Sequence, residues 1–300
     1  MPYPGIQPPE RGGGSAIIFV IKAIIIISLI VTIFGAATYF LNDIFLKPRR
    51  LAEAEKLLPP PTPPPDPSGP LLARALALDK QGRAEDAREA LAQFIDAYPS
   101  ANGSDEARIA LGKLNLTAFL SPTPGPDKEL YVVQRGDAIA KIERKFKTSA
   151  ELIMRINKIS DPAKLSIGQS LLIVKPTFTL IIDRQAKRLE LLNRGKFFKI
   201  YLPRTWNPPA TKLPPNSKSQ ISDKLAWKNG TRIAFGNKEY EDSVHWLQCS
   251  ISGWTIYGEP DASEPATARS NKPPTGISLT NEEARELSTL LSRGSPVVIE

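Results

Sequence analysis

This chain of 300 residues is long enough for two or three small domains, and its 29 prolines lie in clusters that predict separate modules on linkers. The 39 lysines and arginines exceed the 31 aspartates and glutamates, and the net charge of +8 favours an anionic neighbourhood such as cell-wall polymer or phospholipid headgroups. One cysteine excludes an internal disulfide, and one cysteine with one histidine excludes the usual zinc site, so we predict neither metal nor cofactor. Nucleic-acid binding is disfavoured because the basic residues are dispersed and not interleaved with aromatic residues.

An apolar segment near the N-terminus is the first predicted element. The uncharged run from Ala23 to Leu41 has 19 residues, close to the ~20 that cross a hydrocarbon core, so we predict a transmembrane helix at 16–41 behind a cytoplasmic N-terminus at 1–15. A buried core helix and a cleaved signal peptide are the alternatives, but a signal peptide has an apolar region of only about 7 to 15 residues. By the positive-inside rule, the basic residues that flank the helix slightly disfavour a topology with the C-terminal part outside the cytoplasm. We therefore infer the orientation of the helix from the modules that follow it.

Residues 42–70 are predicted to be a proline-rich spacer. A short helix at 51–58 is followed by seven prolines among the nine residues 59–67. Such a tract adopts polyproline II geometry and extends by about 3 Å per residue. We therefore expect it to hold the next module away from a bilayer.

Residues 71–120 carry helical periodicity in three successive segments. Gly82, Ala87, Leu91, Phe94 and Tyr98 follow an order of small, aliphatic and aromatic residues that resembles a tetratricopeptide repeat. Only about one and a half repeats are present, fewer than the three or so that a free-standing solenoid needs. The alternatives are a small helical hairpin region that packs on a neighbour or pairs between chains, and a peptide-binding groove that recruits a protein partner.

A linker at 121–129 precedes a module at 130–175. An alternating strand that starts near Tyr131, a turn at Gly136 and Asp137, two short amphipathic helices and a closing strand after Gly168 predict a β-α-α-β domain. With Asn157 and the apolar run at 171–173, this pattern resembles the lysin motif over nearly its full length.

The resemblance to the lysin motif implies binding of N-acetylglucosamine-containing glycan in a shallow groove formed by two loops. Carried over by position, the groove residues are Gly136, Asp137, Ala138, Ile139, Ser160, Asp161 and Pro162. Ala138 stands where the family has a hydroxyl residue, so one hydrogen bond to the sugar is expected to be missing. A lysin-motif fold retained only as a spacer is the alternative.

The last module, at 177–300, has short strands separated by turn residues such as those at 193–196, which predict a mainly-β sandwich or barrel. Its opening hairpins and its closing segment at 293–299 resemble the frame of the L,D-transpeptidase catalytic domain. Residues 213–221 lie where that family has Thr-Pro-x-Gly-x-Phe-x-Ile, with Asn216 in the glycine position and Ser219 in the phenylalanine position.

The residues that perform the chemistry of that family are missing from this frame. Residues 256–259 read Ile-Tyr-Gly-Glu in place of Ile-His-Gly-Thr, and 275–279 read Thr-Gly-Ile-Ser-Leu in place of Ser-His-Gly-Cys-Ile-Arg-Leu with the cysteine deleted. Tyr257, Thr275, Gly276 and Ser278 are therefore vestigial positions. Acyl transfer by such a site needs a thiolate, an imidazole and oxyanion donors, so we predict no catalytic residue here.

The single cysteine, Cys249, is the only candidate for a relocated thiol nucleophile, and His245 is the only histidine. Both fall in a predicted strand, where four residues span roughly 13 Å, far beyond the ~3 Å of a nucleophile–base hydrogen bond. His245, Leu247, Cys249 and Ile251 would share one face of that strand. An inert core position is the favoured interpretation.

The sequence thus predicts a multi-domain α+β chain with a transmembrane helix, a small helical region, a lysin motif and a transpeptidase-like domain. We favour a single-pass protein of the bacterial cytoplasmic (inner) membrane that binds peptidoglycan glycan strands, with its C-terminal domains in the periplasm or cell wall and a catalytically dead last domain. The alternatives are an active cross-linking enzyme with a relocated nucleophile, and a scaffold that recruits a wall-modifying partner through residues 71–120.

Overall fold

The computed structural model describes residues 14–50, 66–125, 127–259, 273 and 275–300. These residues fall into two compact units, one that ends at Pro65 and one that runs from Asp66 to Glu300. The predicted helix at 51–58 and most of the proline tract lie outside the described residues.

The first unit contains a long apolar helix. Helix α1 (Gly14–Phe40) continues into a π-helix at Leu41–Leu46 and ends, within the described residues, at Arg50. The segment Ile17–Arg50 is long and apolar enough to cross a membrane, and none of its most apolar part is buried by protein. A signal sequence near an N-terminus has the same properties. The helical segment extends beyond the predicted end at Leu41, through the π-helix and Pro48 to Arg50.

Three helices open the second unit: α2 (Ser68–Lys80), α3 (Ala84–Ala97) and α4 (Ser104–Leu120). They share a small core in which Leu72, Leu91 and Phe94 are buried. Helix α4 also packs on the C-terminal sheet, where Asn115 Nδ2 donates to the backbone oxygen of Phe198 at 2.9 Å. The helices therefore pack on a neighbouring module, as predicted for the alternative of a small helical hairpin region. The likeness to a tetratricopeptide repeat stays a prediction.

The next module is the predicted β-α-α-β unit. It comprises β1 (Lys128–Val132), α5 (Ile139–Phe146), α6 (Ala150–Ile156) and β2 (Ser170–Val174). The two strands pair antiparallel, and the apolar sides of both helices cover them. Ser149 caps α6 because its hydroxyl accepts a hydrogen bond from Leu152 N at 3.1 Å.

The C-terminal module is a ten-stranded sheet that bends around one hydrophobic core. Its strands are β3 (Phe178–Asp183), β4 (Arg188–Asn193), β5 (Lys196–Tyr201), β6 (Thr205–Asn207), β7 (Ser217–Lys228), β8 (Thr231–Arg232), β9 (Val244–Cys249), β10 (Thr255–Glu259), β11 (Gly276–Thr280) and β12 (Pro296–Ile299). Their spatial order is β5-β4-β3-β12-β7-β9-β10-β11-β6, and β8 pairs with β7. The long strand β7 joins two halves of the sheet, one with β3, β4, β5 and β12 and one with β6, β9, β10 and β11. Its first residues pair with β12 and its later residues pair with β9.

One helix, α7 (Asn281–Leu290), follows β11 and packs on β9 and β10. A capping box fixes its start, because the Thr280 hydroxyl accepts from Glu283 N while the Glu283 carboxylate accepts from Thr280 N. The mixed α+β class is therefore confirmed, with a mainly-β last module.

Candidate functional site

The first predicted groove loop is built around a tight turn. Gly136 has φ +81°, a backbone conformation that glycine adopts without strain. Asp137 fixes the loop, because its Oδ2 accepts hydrogen bonds from Tyr131 OH at 2.6 Å and from Gln134 N at 2.8 Å. These two bonds, with the Tyr131 bond the stronger influence, hold the pKa of Asp137 below its ordinary value.

Ala138 and Ile139 point in opposite directions from that loop. Ala138 is exposed and stands at the N-cap of α5, where no side chain caps the helix. The Ile139 side chain is buried in the core of the β-α-α-β unit. The helical phase turns the Ile139 side chain inward with Ile142, so only its backbone can contribute to the predicted groove, and its part in glycan binding stays a prediction.

The second predicted groove loop lies against the C-terminal module. Ser160 is exposed, and Asp161 Oδ1 accepts a hydrogen bond from Ala163 N at 2.9 Å, which holds the turn. A Cβ added at Gly236 would lie 3.2 Å from Pro162 Cγ. The loop is therefore supported from outside its own module, and its role in glycan binding stays a prediction.

The four vestigial positions of the C-terminal module come together at strands β10 and β11. The strands run parallel, with Tyr257 opposite Ser278. The Thr275 hydroxyl donates to Gly253 O at 2.9 Å. The buried Ser278 hydroxyl donates to Glu259 Oε2 at 2.7 Å. A hydroxyl in this position is held inside the protein.

Gly276 leaves no space for a side chain. A Cβ at this position would lie 2.5 Å from the backbone oxygen of Thr255 and 3.2 Å from the ring of Tyr257. Approaches below 3.0 Å essentially never occur for real Cβ atoms. The strand pair is therefore closed at Gly276.

Cys249 and His245 both lie on strand β9 and face the protein interior, which agrees with the strand prediction. Ile251 lies beyond the end of that strand and packs on the same core from a half-buried position. Burial raises the pKa of the Cys249 thiol to about 12. Burial also lowers the pKa of His245 to about 4, and its Nε2 lies 3.1 Å from Tyr240 O. A thiol that stays protonated inside a core is a poor nucleophile.

Comparison with known protein families identifies the β-α-α-β module. Residues 131–174 match the LysM domain family. This segment is a LysM domain. A search of curated proteins finds no match to the chain.

Solved L,D-transpeptidases are similar to part of the chain. The enzyme from Mycobacterium smegmatis is 12% identical, with a TM-score of 0.28, over 45% of this chain and 64% of that one. L,D-transpeptidase 1 of Mycobacterium tuberculosis is 9% identical, with a TM-score of 0.27, over 44% and 66%. The Enterococcus faecium L,D-transpeptidase is 16% identical, with a TM-score of 0.27, over 41% and 50%. The chain thus spans less than two thirds of each of these structures.

The LysM domain is fixed to the C-terminal sheet by a buried ion pair. Lys224 Nζ on β7 lies 2.9 Å from Glu151 Oε1 on α6, and Tyr240 OH donates to the same oxygen at 2.9 Å. The Ser149 hydroxyl also donates to Thr289 O on α7 at 2.5 Å. Sequence reasoning missed this contact, because charges 73 residues apart carry no local signal of their pairing.

Proposed function

We propose that this chain is a membrane-anchored, extracytoplasmic protein that binds peptidoglycan through its LysM domain. The LysM match over 131–174 carries the proposal, because that family resemblance implies affinity for N-acetylglucosamine-containing glycan. The folded loop at Gly136 and Asp137 and the exposed Ala138 and Ser160 support it, since they leave two polar loops open to a ligand.

The proposed location follows from the order of the modules. The apolar helix near the N-terminus acts as an uncleaved anchor in the cytoplasmic membrane, and the proline-rich spacer carries the later modules into the periplasm or cell wall. We propose module boundaries at 16–41, 42–70, 71–120, 121–129, 130–175 and 177–300. The helices at 71–120 support the sheet, since Asn115 of α4 bonds to Phe198 of β5.

We further propose that the C-terminal module, although its frame resembles the L,D-transpeptidase domain, has no transpeptidase activity. Three observations support this: Gly276 has no space for a side chain, the Ser278 hydroxyl is buried on Glu259, and Cys249 is buried with a raised pKa. Within the residues that the structure describes, no three His, Cys, Asp or Glu side chains are grouped as metal ligands. The module then acts as a binding or supporting domain for the LysM domain.

The glycan part of the proposal is tested by titrating full-length protein in detergent with an N-acetylglucosamine tetramer. Ala138→Ser restores the hydroxyl that the family carries after the aspartate, so we expect several-fold tighter binding from one added hydrogen bond of about 1 kcal/mol. Ala138→Trp places an indole on the loop and should abolish binding. If the native protein and both variants show no binding, the proposed function is wrong.

A further inference from the structure

A cavity of about 1000 Å³ lies between the LysM domain and the C-terminal module. One wall is formed by Ala140, Glu143 and Arg144 on one side of helix α5 and by Lys147 directly after the helix. The opposite face of that helix, with Ile142 and Phe146, packs into the LysM core. The polar side of this helix thus forms one boundary of the cavity.

The charges around the cavity are mainly positive. Its basic lining residues are Arg144, Lys147, Lys224, Arg232 and Arg293, and its acidic lining residues are Glu143 and Glu151. Lys224 is neutralised by Glu151, but Arg232 and Arg293 both bond to a single carboxylate, that of Asp223. Two guanidinium groups on one carboxylate leave an excess of positive charge and donor groups, which favours an anionic ligand.

A buried hydroxyl also points to a ligand. Thr148 lines the cavity and is only 2% exposed, yet its Oγ1 has no hydrogen-bond partner among the described residues. Buried polar groups in native proteins are nearly always paired, so an orphan on a cavity wall marks a place where a bound molecule supplies the partner. Ile233 and Phe235 add apolar surface on the C-terminal side.

The position of the cavity connects it with the predicted glycan groove. Ala140 on its wall directly follows the groove loop at 136–139, so a glycan strand on that loop lies at the N-terminal end of the α5 wall. The peptide stems that branch from peptidoglycan strands carry carboxylates and apolar side chains. We infer that the cavity binds the carboxylate-bearing stem peptide of the strand that the LysM domain holds; this inference rests on the proposed function.

The test is calorimetric titration of full-length protein in detergent with two separate probes, a synthetic stem tetrapeptide and a stem-free N-acetylglucosamine tetramer. Arg232→Gln combined with Arg293→Gln should weaken tetrapeptide binding about tenfold, because it removes two charge-assisted contacts, and should leave the sugar tetramer unaffected. Arg83→Gln is the matched control. Arg83 is 58% exposed and Arg232 57% exposed, and each bonds to an aspartate, but Arg83 lies on the loop before α3.

Thr148 supplies a second test that separates binding from folding. Thr148→Val removes the orphan hydroxyl, so it should raise the melting temperature of the free protein and weaken tetrapeptide binding several-fold. Thr148→Ser keeps the hydroxyl and should preserve binding. A purely structural role would move stability and binding in the same direction, which would overturn the inference.

The outcomes distinguish the two proposals. Three outcomes would overturn the stem-peptide inference while the LysM function stands. The protein binds the sugar tetramer but not the tetrapeptide, or it binds the tetrapeptide with the same affinity after both arginines are replaced. In the third outcome, inorganic phosphate competes for the site as well as the tetrapeptide does. Arginine-dependent tetrapeptide binding without sugar binding would contradict the proposed glycan function, and with it the claim that the bound stem belongs to a strand held by the LysM domain.

Discussion

Lys224 and Glu151 form an ion pair of 2.9 Å that joins the C-terminal sheet to the LysM helix α6, with each side chain only 10% exposed. Burial by itself raises the pKa of Glu151, but the nearby Lys224 ammonium and its hydrogen bonds outweigh burial and hold the pKa below its ordinary value. This pair therefore links the LysM domain to the sheet, and both of its residues line the cavity between them.

Removing one partner of this pair should be costly. Lys224→Met leaves Glu151 buried without its cation, and we expect the free energy of unfolding in urea to fall by about 3 kcal/mol. The double substitution with Glu151→Leu should recover most of that loss. Lys228→Met is the control on the same strand, because Lys228 pairs with Glu239 near the surface and should contribute less than about 1 kcal/mol. If Lys224→Met and Lys228→Met lowered the free energy of unfolding equally, the buried pair would not stabilise the protein more than the surface pair does, which would contradict this prediction.

The single histidine should make stability depend on pH. Burial lowers the pKa of His245 to about 4, below its ordinary value near 6.5. As pH falls, His245 therefore binds a proton in the unfolded chain at a higher pH than in the folded protein. The contribution of neutral His245 to the free energy of unfolding is fully present above about pH 6.5 and is lost between there and about pH 4. The loss should be roughly 3 kcal/mol.

The histidine prediction is measured by urea unfolding from pH 7.5 to 4. His245→Gln keeps an N–H donor for Tyr240 O and should flatten this part of the profile, leaving only the titration of carboxylates. An unchanged profile in the glutamine variant would show that other groups cause the pH dependence.

The closed strand pair predicts a steric penalty at Gly276. In Gly276→Ala the new methyl group meets Thr255 O and the Tyr257 ring, so we expect the unfolding free energy to fall by about 3 kcal/mol. Gly294→Ala is the control, because Gly294 also has positive φ but open space around it, and backbone strain alone should cost about 1 kcal/mol. If Gly276→Ala is as stable as the control, this site has room for a side chain and the argument for its closure fails.

Cys249 should be chemically inert in the native protein. Its buried thiol has a raised pKa, so a maleimide reagent should modify it only after denaturation. We expect Cys249→Ala to leave glycan binding unchanged and native protein to exchange no acyl group on a stem tetrapeptide. Acyl exchange that disappears in Cys249→Ala would support the alternative of a relocated nucleophile.

The LysM architecture was predictable from the sequence because its signals are local. Turn residues at Gly136, helical periodicity and a closing strand after Gly168 determine the β-α-α-β unit without distant contacts. Asn216 has φ +56°, which explains how it occupies a glycine position, since asparagine tolerates this conformation better than most residues.

The remaining features depend on contacts between residues far apart in sequence. The Ser278–Glu259 hydrogen bond, the α4 contact with β5 and the cavity wall at Arg232 and Arg293 all arise from how strands are ordered in the sheet. Ile139 was assigned to the groove by motif position, whereas the helical phase decides that its side chain faces the core.

Glycan binding through the LysM domain is tested most directly by pelleting full-length protein with insoluble peptidoglycan. Native protein should be enriched in the pellet, and Ala138→Trp, which blocks the predicted groove loop, should lose that enrichment. Ala210→Trp is the matched control, because Ala210 is an exposed alanine on a C-terminal loop. We predict that native protein and Ala210→Trp are enriched in the pellet and that Ala138→Trp is not. Equal pelleting of all three proteins, or of none, would contradict glycan binding through the LysM domain.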